Sequence, residues 1–135
     1  MVMKSYFNHK LLVIFVGLLL MVGVLVGCGG DEVTFTTIST SEGYARLNSE
    51  TGIVFIDVRT AEEFNAGHAE GSINIPGDEL ARMIETVVTE KDATIFVICR
   101  SGVRSQQAAE ILAGLGYVNV YDIGGLLAWP GEISS

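Results

Sequence analysis

Basic residues are scarce in this chain. Its 135 residues carry eight Lys and Arg against 16 Asp and Glu, a formal net charge of −8. That balance argues against nucleic-acid binding, which calls for a basic face. Histidine is scarcer still, His9 and His68 only, and a lone imidazole with no second soft ligand makes no metal cluster. Cysteine is limited to Cys28 and Cys99, which leaves no spare thiol for an internal disulfide relay if Cys28 is otherwise engaged. There are two prolines, no repeats and no low-complexity tract. The length allows one domain at most.

What is present divides sharply. "MVMKSYFNHK" carries Lys4 and Lys10 and no acid, and an uninterrupted apolar run follows from Leu11 to Val26. A charged segment followed by an apolar stretch of this length reads as a secretory signal. It is short for a spanning helix, which needs ~20 residues. The run ends in "LVGC", Leu25 to Cys28, which resembles a bacterial lipobox, in which the cysteine is lipidated and becomes the new N-terminus. The expectation is a lipoprotein signal peptide over 1–27, lipidated Cys28 with a short linker over 28–32, and a domain over 33–135. The alternative is an uncleaved N-terminal anchor. Either way the domain is extracytoplasmic and tethered to a membrane. Its acidity would repel anionic headgroups, so the anchor rather than a basic patch has to hold it there.

From Val33 strand and helix patterns alternate. "VTFTTI" reads as a strand. "STSEGYARLN" reads as a helix, with Ser39 and Glu42 at capping-box spacing. "GIVFIDV" (52–58) is a continuous apolar strand of the kind covered on both faces. "TAEEFNAGH" holds a short helix with Thr60 and Glu63 at the same spacing, and "SINIP" (72–76) is a strand stopped by Pro76. "GDELARMIETVV" is a helix expected to be capped by Asp78. "ATIFVIC" (93–99) is a second apolar strand. "VRSQQAAEILAGLG" is a helix expected to bury Val103, Ala108, Ile111, Leu112 and Leu115, ending at Gly114 or Gly116. "VNVYDI" is the last strand. This alternation predicts an α/β fold: an open, mostly parallel five-stranded sheet with helices on both faces. Ligands of such sheets bind beyond the carboxyl ends of the strands, where Asp57, Arg59 and Cys99 fall.

Cys99 is the chemical focus. It ends a buried strand, "RSGVR" turns after it with Gly102 permitting a positive φ, and a helix begins at once. Amides converging in such a turn form an anion nest, and the helix N-terminus adds partial positive charge. Both favour a thiolate, as do Arg100 and Arg104. A core cysteine is the plainer reading, but it does not call for serine, glycine and two arginines in the next five positions.

"CRSGVRS" resembles the active-site loop of the rhodanese-like sulfurtransferases. "IDVRTAEEFNAGHAEGSINIP" (56–76) and "YDIGGLLAWPG" (121–131) resemble further segments of that family, in order, so that the likeness spans roughly 33–131. It implies that Cys99 takes a sulfane sulfur from a small anionic donor such as thiosulfate or a persulfide. Cys99 would hold it as a persulfide and pass it to a thiol or cyanide acceptor. Arg100, Ser101, Gly102, Val103 and Arg104 would cradle the substrate through their amides. No metal and no organic cofactor is implied. Related phosphatase-type domains place five residues between cysteine and arginine. Here Arg104 comes after four, and Ser105 stands where the phosphatase arginine would be. The strongest thiosulfate users begin the loop Cys-Arg-Lys-Gly, where this chain has Ser101.

Other residues have humbler expectations. Arg59 is either a donor-anion ligand or the partner of Asp57, Glu62 or Glu63. Asp57 orders neighbouring loops, and His68 shapes the turn before "SINIP". Gly124 and Gly125 serve a turn near the cysteine loop, and Trp129 covers one end of the core. Two other functions compete: a non-catalytic rhodanese-like interaction module, and a thiol redox or arsenate-reductase-like protein that uses a partner thiol.

Overall fold

The computed structural model describes residues 34–135. The expectations for the signal peptide, for Cys28 and for the linker lie outside the described residues. Among the described residues no helix is long and apolar enough to cross a membrane.

In chain order the elements are β1 (Thr36–Thr37), α1 (Thr40–Ser49), β2 (Val54–Asp57), α2 (Ala61–Asn65), β3 (His68–Ala69) and β4 (Ile73–Asn74). There follow α3 (Leu80–Val87), β5 (Thr94–Cys99), α4 (Val103–Gly114), β6 (Asn119–Gly125), a 3-10 turn (Leu126–Ala128) and β7 (Ile133–Ser134). Five strands make one sheet in the order β1-β6-β5-β2-β4, with every neighbouring pair parallel. The central strands β5 and β2 are the two continuous apolar runs, as a sheet covered on both faces requires.

Alternation along the strands divides the core. Ile56, Val97, Cys99 and Val120 face one side, under Leu80 and Ile84 of α3 and Ala108, Ala109 and Leu112 of α4. Phe55, Phe96, Ile98 and Ile123 face the other, where Leu47 of α1 and Trp129 pack. Helices therefore cover both faces, as expected. Trp129 stacks on Phe55 with ring centroids 5.5 Å apart and meets Tyr44 edge-on at 5.2 Å.

The helix starts differ in one case. Thr60 and Glu63 form a full capping box, and the Ser39 hydroxyl accepts the Glu42 amide at 3.1 Å. Asp78 is not the cap of α3. Glu79 occupies that place with helical backbone and no side-chain cap bond, because the chain arrives through a turn in which the Glu79 amide bonds the Pro76 carbonyl at 2.9 Å. At the end of α4, Gly116 (φ +91°) follows a closing pair of bonds, Gly116 N–H to Ala113 at 3.0 Å and Tyr117 N–H to Leu112 at 3.2 Å. This is the left-handed glycine stop.

The buried face of α4 is Ser105, Ala108, Ala109 and Leu112. Val103 and Ile111 are exposed, against expectation, because the first turn of α4 faces the cysteine loop through Ser105 instead. The short antiparallel ribbon β3–β7 has no counterpart in the sequence pattern. Two-residue strands carry no periodicity to detect.

Candidate active site

Cys99 is the last residue of β5 and is fully buried. The chain then turns through Arg100, Ser101 and Gly102, whose φ of +104° only glycine adopts without strain. Gly102 caps α4 without a side-chain bond, so the loop supplies the acceptor itself. The Gly102 N–H donates to Cys99 Sγ at 3.0 Å. Gly125 makes this turn possible from below. A Cβ there would collide with the Arg100 carbonyl and lie 2.7 Å from Ser101 Cα. The loop thus rests directly on bare backbone, and the Leu127 N–H holds the Arg100 carbonyl at 3.2 Å.

Ser105 was not among the expected site residues. It is fully buried, and Cys99 Sγ lies 3.7 Å from its hydroxyl oxygen. That hydroxyl is 2.6 Å from Asp122 Oδ1, 3.0 Å from the Gly102 carbonyl and 3.1 Å from the Gly124 carbonyl. The signal that could have found it is its place one turn into a helix that starts at the thiol, where it must face back onto the strand end. Asp122 gave no local signal, since its contact with Ser105 depends on how β6 lies beside β5.

Burial pushes the Cys99 thiol up. Bonds from the Ser105 amide and hydroxyl and from the Gly102 and Ser101 amides outweigh it, and the thiol ends below its ordinary value. The cradle therefore favours the thiolate, with the amides of Ser105, Gly102 and Ser101 as its principal donors.

The arginines divide. Five of the six basic side chains among the described residues are in ion pairs: Arg46, Arg59, Arg82, Lys91 and Arg104. Arg100, beside the nucleophile, is exposed and has no ion pair among the described residues. Arg104 is gripped by Glu63 through two bonds of 2.7 and 2.8 Å, which hold the Glu63 carboxyl down at about 2. Arg59 is nearly buried, its guanidinium on Asp57 (2.7 Å) and the Gly67 carbonyl (2.7 Å). Of its proposed partners Asp57 is the one it meets, while Glu63 goes to Arg104. Asp57 and Cys99 end neighbouring strands, but Asp57 is fully buried under its arginine. His68 stacks on Phe64 with centroids 3.7 Å apart and bonds the Phe64 carbonyl through Nδ1 at 3.0 Å, so it orders the turn before β4. A cleft of about 310 Å³ opens between α4 and the 76–78 turn, with Arg104 and Thr60 in its wall; Cys99 is not among its lining residues.

Fold and site define a class: a small parallel α/β domain that presents one thiol at a strand end inside a ring of amides. Within that class the chain belongs to the rhodanese-like domain family, whose pattern matches residues 39–132. It is 44% identical over 72 residues to thiosulfate sulfurtransferase PspE of Escherichia coli, covering 53% of this chain and 69% of that one. It is 37% identical over 103 residues to thiosulfate sulfurtransferase GlpE of Pseudomonas entomophila, covering 73% and 91%. Among solved structures it is similar to a rhodanese with anions from E. coli, with a TM-score of 0.59 and 38% identity over 62% of this chain and 98% of that one.

Proposed function

We propose that this rhodanese-type sulfurtransferase works through a persulfide on Cys99. The observation that carries the reading is the Gly102 N–H donating to Sγ at 3.0 Å, in a loop whose hydrogen bonds lower the thiol below its ordinary value. The thiolate attacks the sulfane sulfur of the donor. The donor's S–S bond breaks and its remainder leaves, as sulfite when thiosulfate is the donor. A thiol or cyanide then takes the outer sulfur and returns the thiolate. This is covalent, two-step catalysis. The amides of residues 101–105 stabilise the outer sulfur and the donor's anionic oxygens as fixed dipoles. Arg100, exposed and without an ion pair among the described residues, draws the anion in. With serine rather than lysine at position 101, the loop offers one cation fewer to a sulfonate, which favours a persulfide donor over thiosulfate.

Steady-state kinetics test the reading. With thiosulfate and cyanide varied together, parallel double-reciprocal lines are expected, and Cys99→Ser should abolish turnover with either donor. Intersecting lines, or activity that survives Cys99→Ser, contradict it. We propose further that Cys28 is lipidated and tethers the domain outside the cytoplasm, a reading supported by the apolar run that ends in "LVGC". Radiolabelled lipid should be incorporated by the wild type and not by Cys28→Ala.

A further inference from the structure

Three charged side chains are buried among the described residues: Asp57, Arg59 and Asp122. The first two neutralise each other. Asp122 has no ion-pair partner among the described residues. Its Oδ1 accepts the Ser105 hydroxyl at 2.6 Å and the Gly124 N–H at 3.0 Å, and the Ser105 side chain in turn touches the nucleophile. An unpaired buried carboxylate is costly to keep, and the proton-bearing neighbour it reaches through Ser105 is the Cys99 thiol. Among the described residues no ion pair reaches it, and Arg100, the one cation there without an ion pair, is exposed. Of the elements packed on β6, β1 brings Thr36 and Thr37, and β5 brings Cys99. From α4 come Arg104, held by Glu63, and Glu110, which is exposed; from α1 come Arg46, held by Glu50, and exposed Glu42.

We propose that Asp122 is a positioning residue that shares one proton with Cys99 through the Ser105 hydroxyl. In one arrangement Cys99 S–H donates to Ser105 Oγ while Ser105 O–H donates to the carboxylate. In the other the S–H bond has broken and its proton is on Ser105 Oγ. The former Ser105 proton has passed to Asp122 Oδ1, and Ser105 now donates to the thiolate. One proton has moved along the chain, one negative charge has moved the other way, and the total charge is unchanged. When the acceptor releases Cys99 as a thiolate, the same path returns the proton. Ser105 can serve because a hydroxyl both donates and accepts, and its oxygen lies within reach of both partners. A thiol joined to a second proton site in this way shows both proton losses in its own curve.

The inference rests on Cys99 being the reacting group. Its test uses no sulfur donor, so it can fail while sulfur transfer stands. The thiolate absorbance of the full-length protein is followed against pH, with Cys99→Ser subtracted. The expected wild-type curve has two steps, a partial rise to a plateau as the pair loses its first proton and completion as it loses the second. Asp122→Asn keeps an oxygen for Ser105 and Gly124 but cannot take the proton, so the lower step should vanish. Ser105→Ala breaks the link and should also leave a single step, which covers the case in which Asp122→Asn does not fold. A wild-type curve with one step overturns the proposal, as does a two-step curve that persists in either variant. A purely structural Asp122 would lower the melting temperature on substitution without any lower step to lose.

Discussion

Gly125→Ala isolates the dependence of the site on the seat beneath the loop. The backbone at Gly125 is extended, with φ −138° and ψ 152°, so alanine suffers no conformational strain there. All of its effect is steric. The new Cβ would lie 2.7 Å from Ser101 Cα, against 3.4–4 Å for ordinary contact, and would strike the Arg100 carbonyl. Both are backbone, so no flexible side chain can swing aside. The loop has to lift by about 1 Å, a displacement that costs on the order of 10²-fold in rate when it misplaces reacting atoms. Overpacking of this kind destabilises by about 1–3 kcal/mol. Gly114→Ala is the control: nothing lies within 4 Å of its Cβ, and alanine there should leave activity intact and stability unchanged or slightly higher. The assay is thiocyanate formation from thiosulfate and cyanide beside a thermal melt. Wild-type kcat in Gly125→Ala would refute the claim that the seat sets the cradle.

Arg100→Ala should leave the melting temperature unchanged, because the side chain is exposed and has no ion pair among the described residues. It should raise KM for an anionic donor by roughly 10-fold or more, the loss of a charge-assisted contact worth about 1.5–3 kcal/mol. An unchanged KM in stopped-rate assays would remove Arg100 from substrate capture. Glu63→Gln tests the tie to Arg104. The Glu63 carboxyl is held at about 2 in the fold, chiefly by Arg104. Its stabilisation is therefore present above the unfolded value near 4.5 and is lost as pH falls through about 2. The pair is partly exposed, so the effect is about 0.5–1 kcal/mol. The wild type should melt higher than Glu63→Gln at pH 6, and the gap should close by about pH 2; a gap independent of pH would place the effect elsewhere.

The central strands were legible because burial on both faces demands unbroken apolar runs, and "IVFI" and "IFVI" are such runs. The Gly102 turn was legible because a helix that starts right after a strand end leaves few conformations for the link. Long-range choices were not. Arg104 and Glu63 are 41 residues apart, and either arginine of the region could have taken that carboxylate. Asp78 had the right side chain for a cap but the wrong approach, since Pro76 had already set the turn. Ser105 reads locally as one polar residue early in a helix. Its place one turn into a helix that starts at the thiol points it at the strand end, but its partners appear when β6 brings Asp122 and Gly124 beneath it. The expected α4 face followed the apolar residues, whereas the thiol required the first turn to present its serine inward and leave Val103 outside.

The most direct measurement is a single turnover of the full-length protein with thiosulfate. The mass of the Cys99-containing peptide is followed beside released sulfite. One added sulfur atom on Cys99 for each sulfite released is expected, removed again by cyanide and absent from Cys99→Ser. Sulfite release with no sulfur on Cys99, or equal sulfur uptake by Cys99→Ser, would contradict a persulfide carried on this residue.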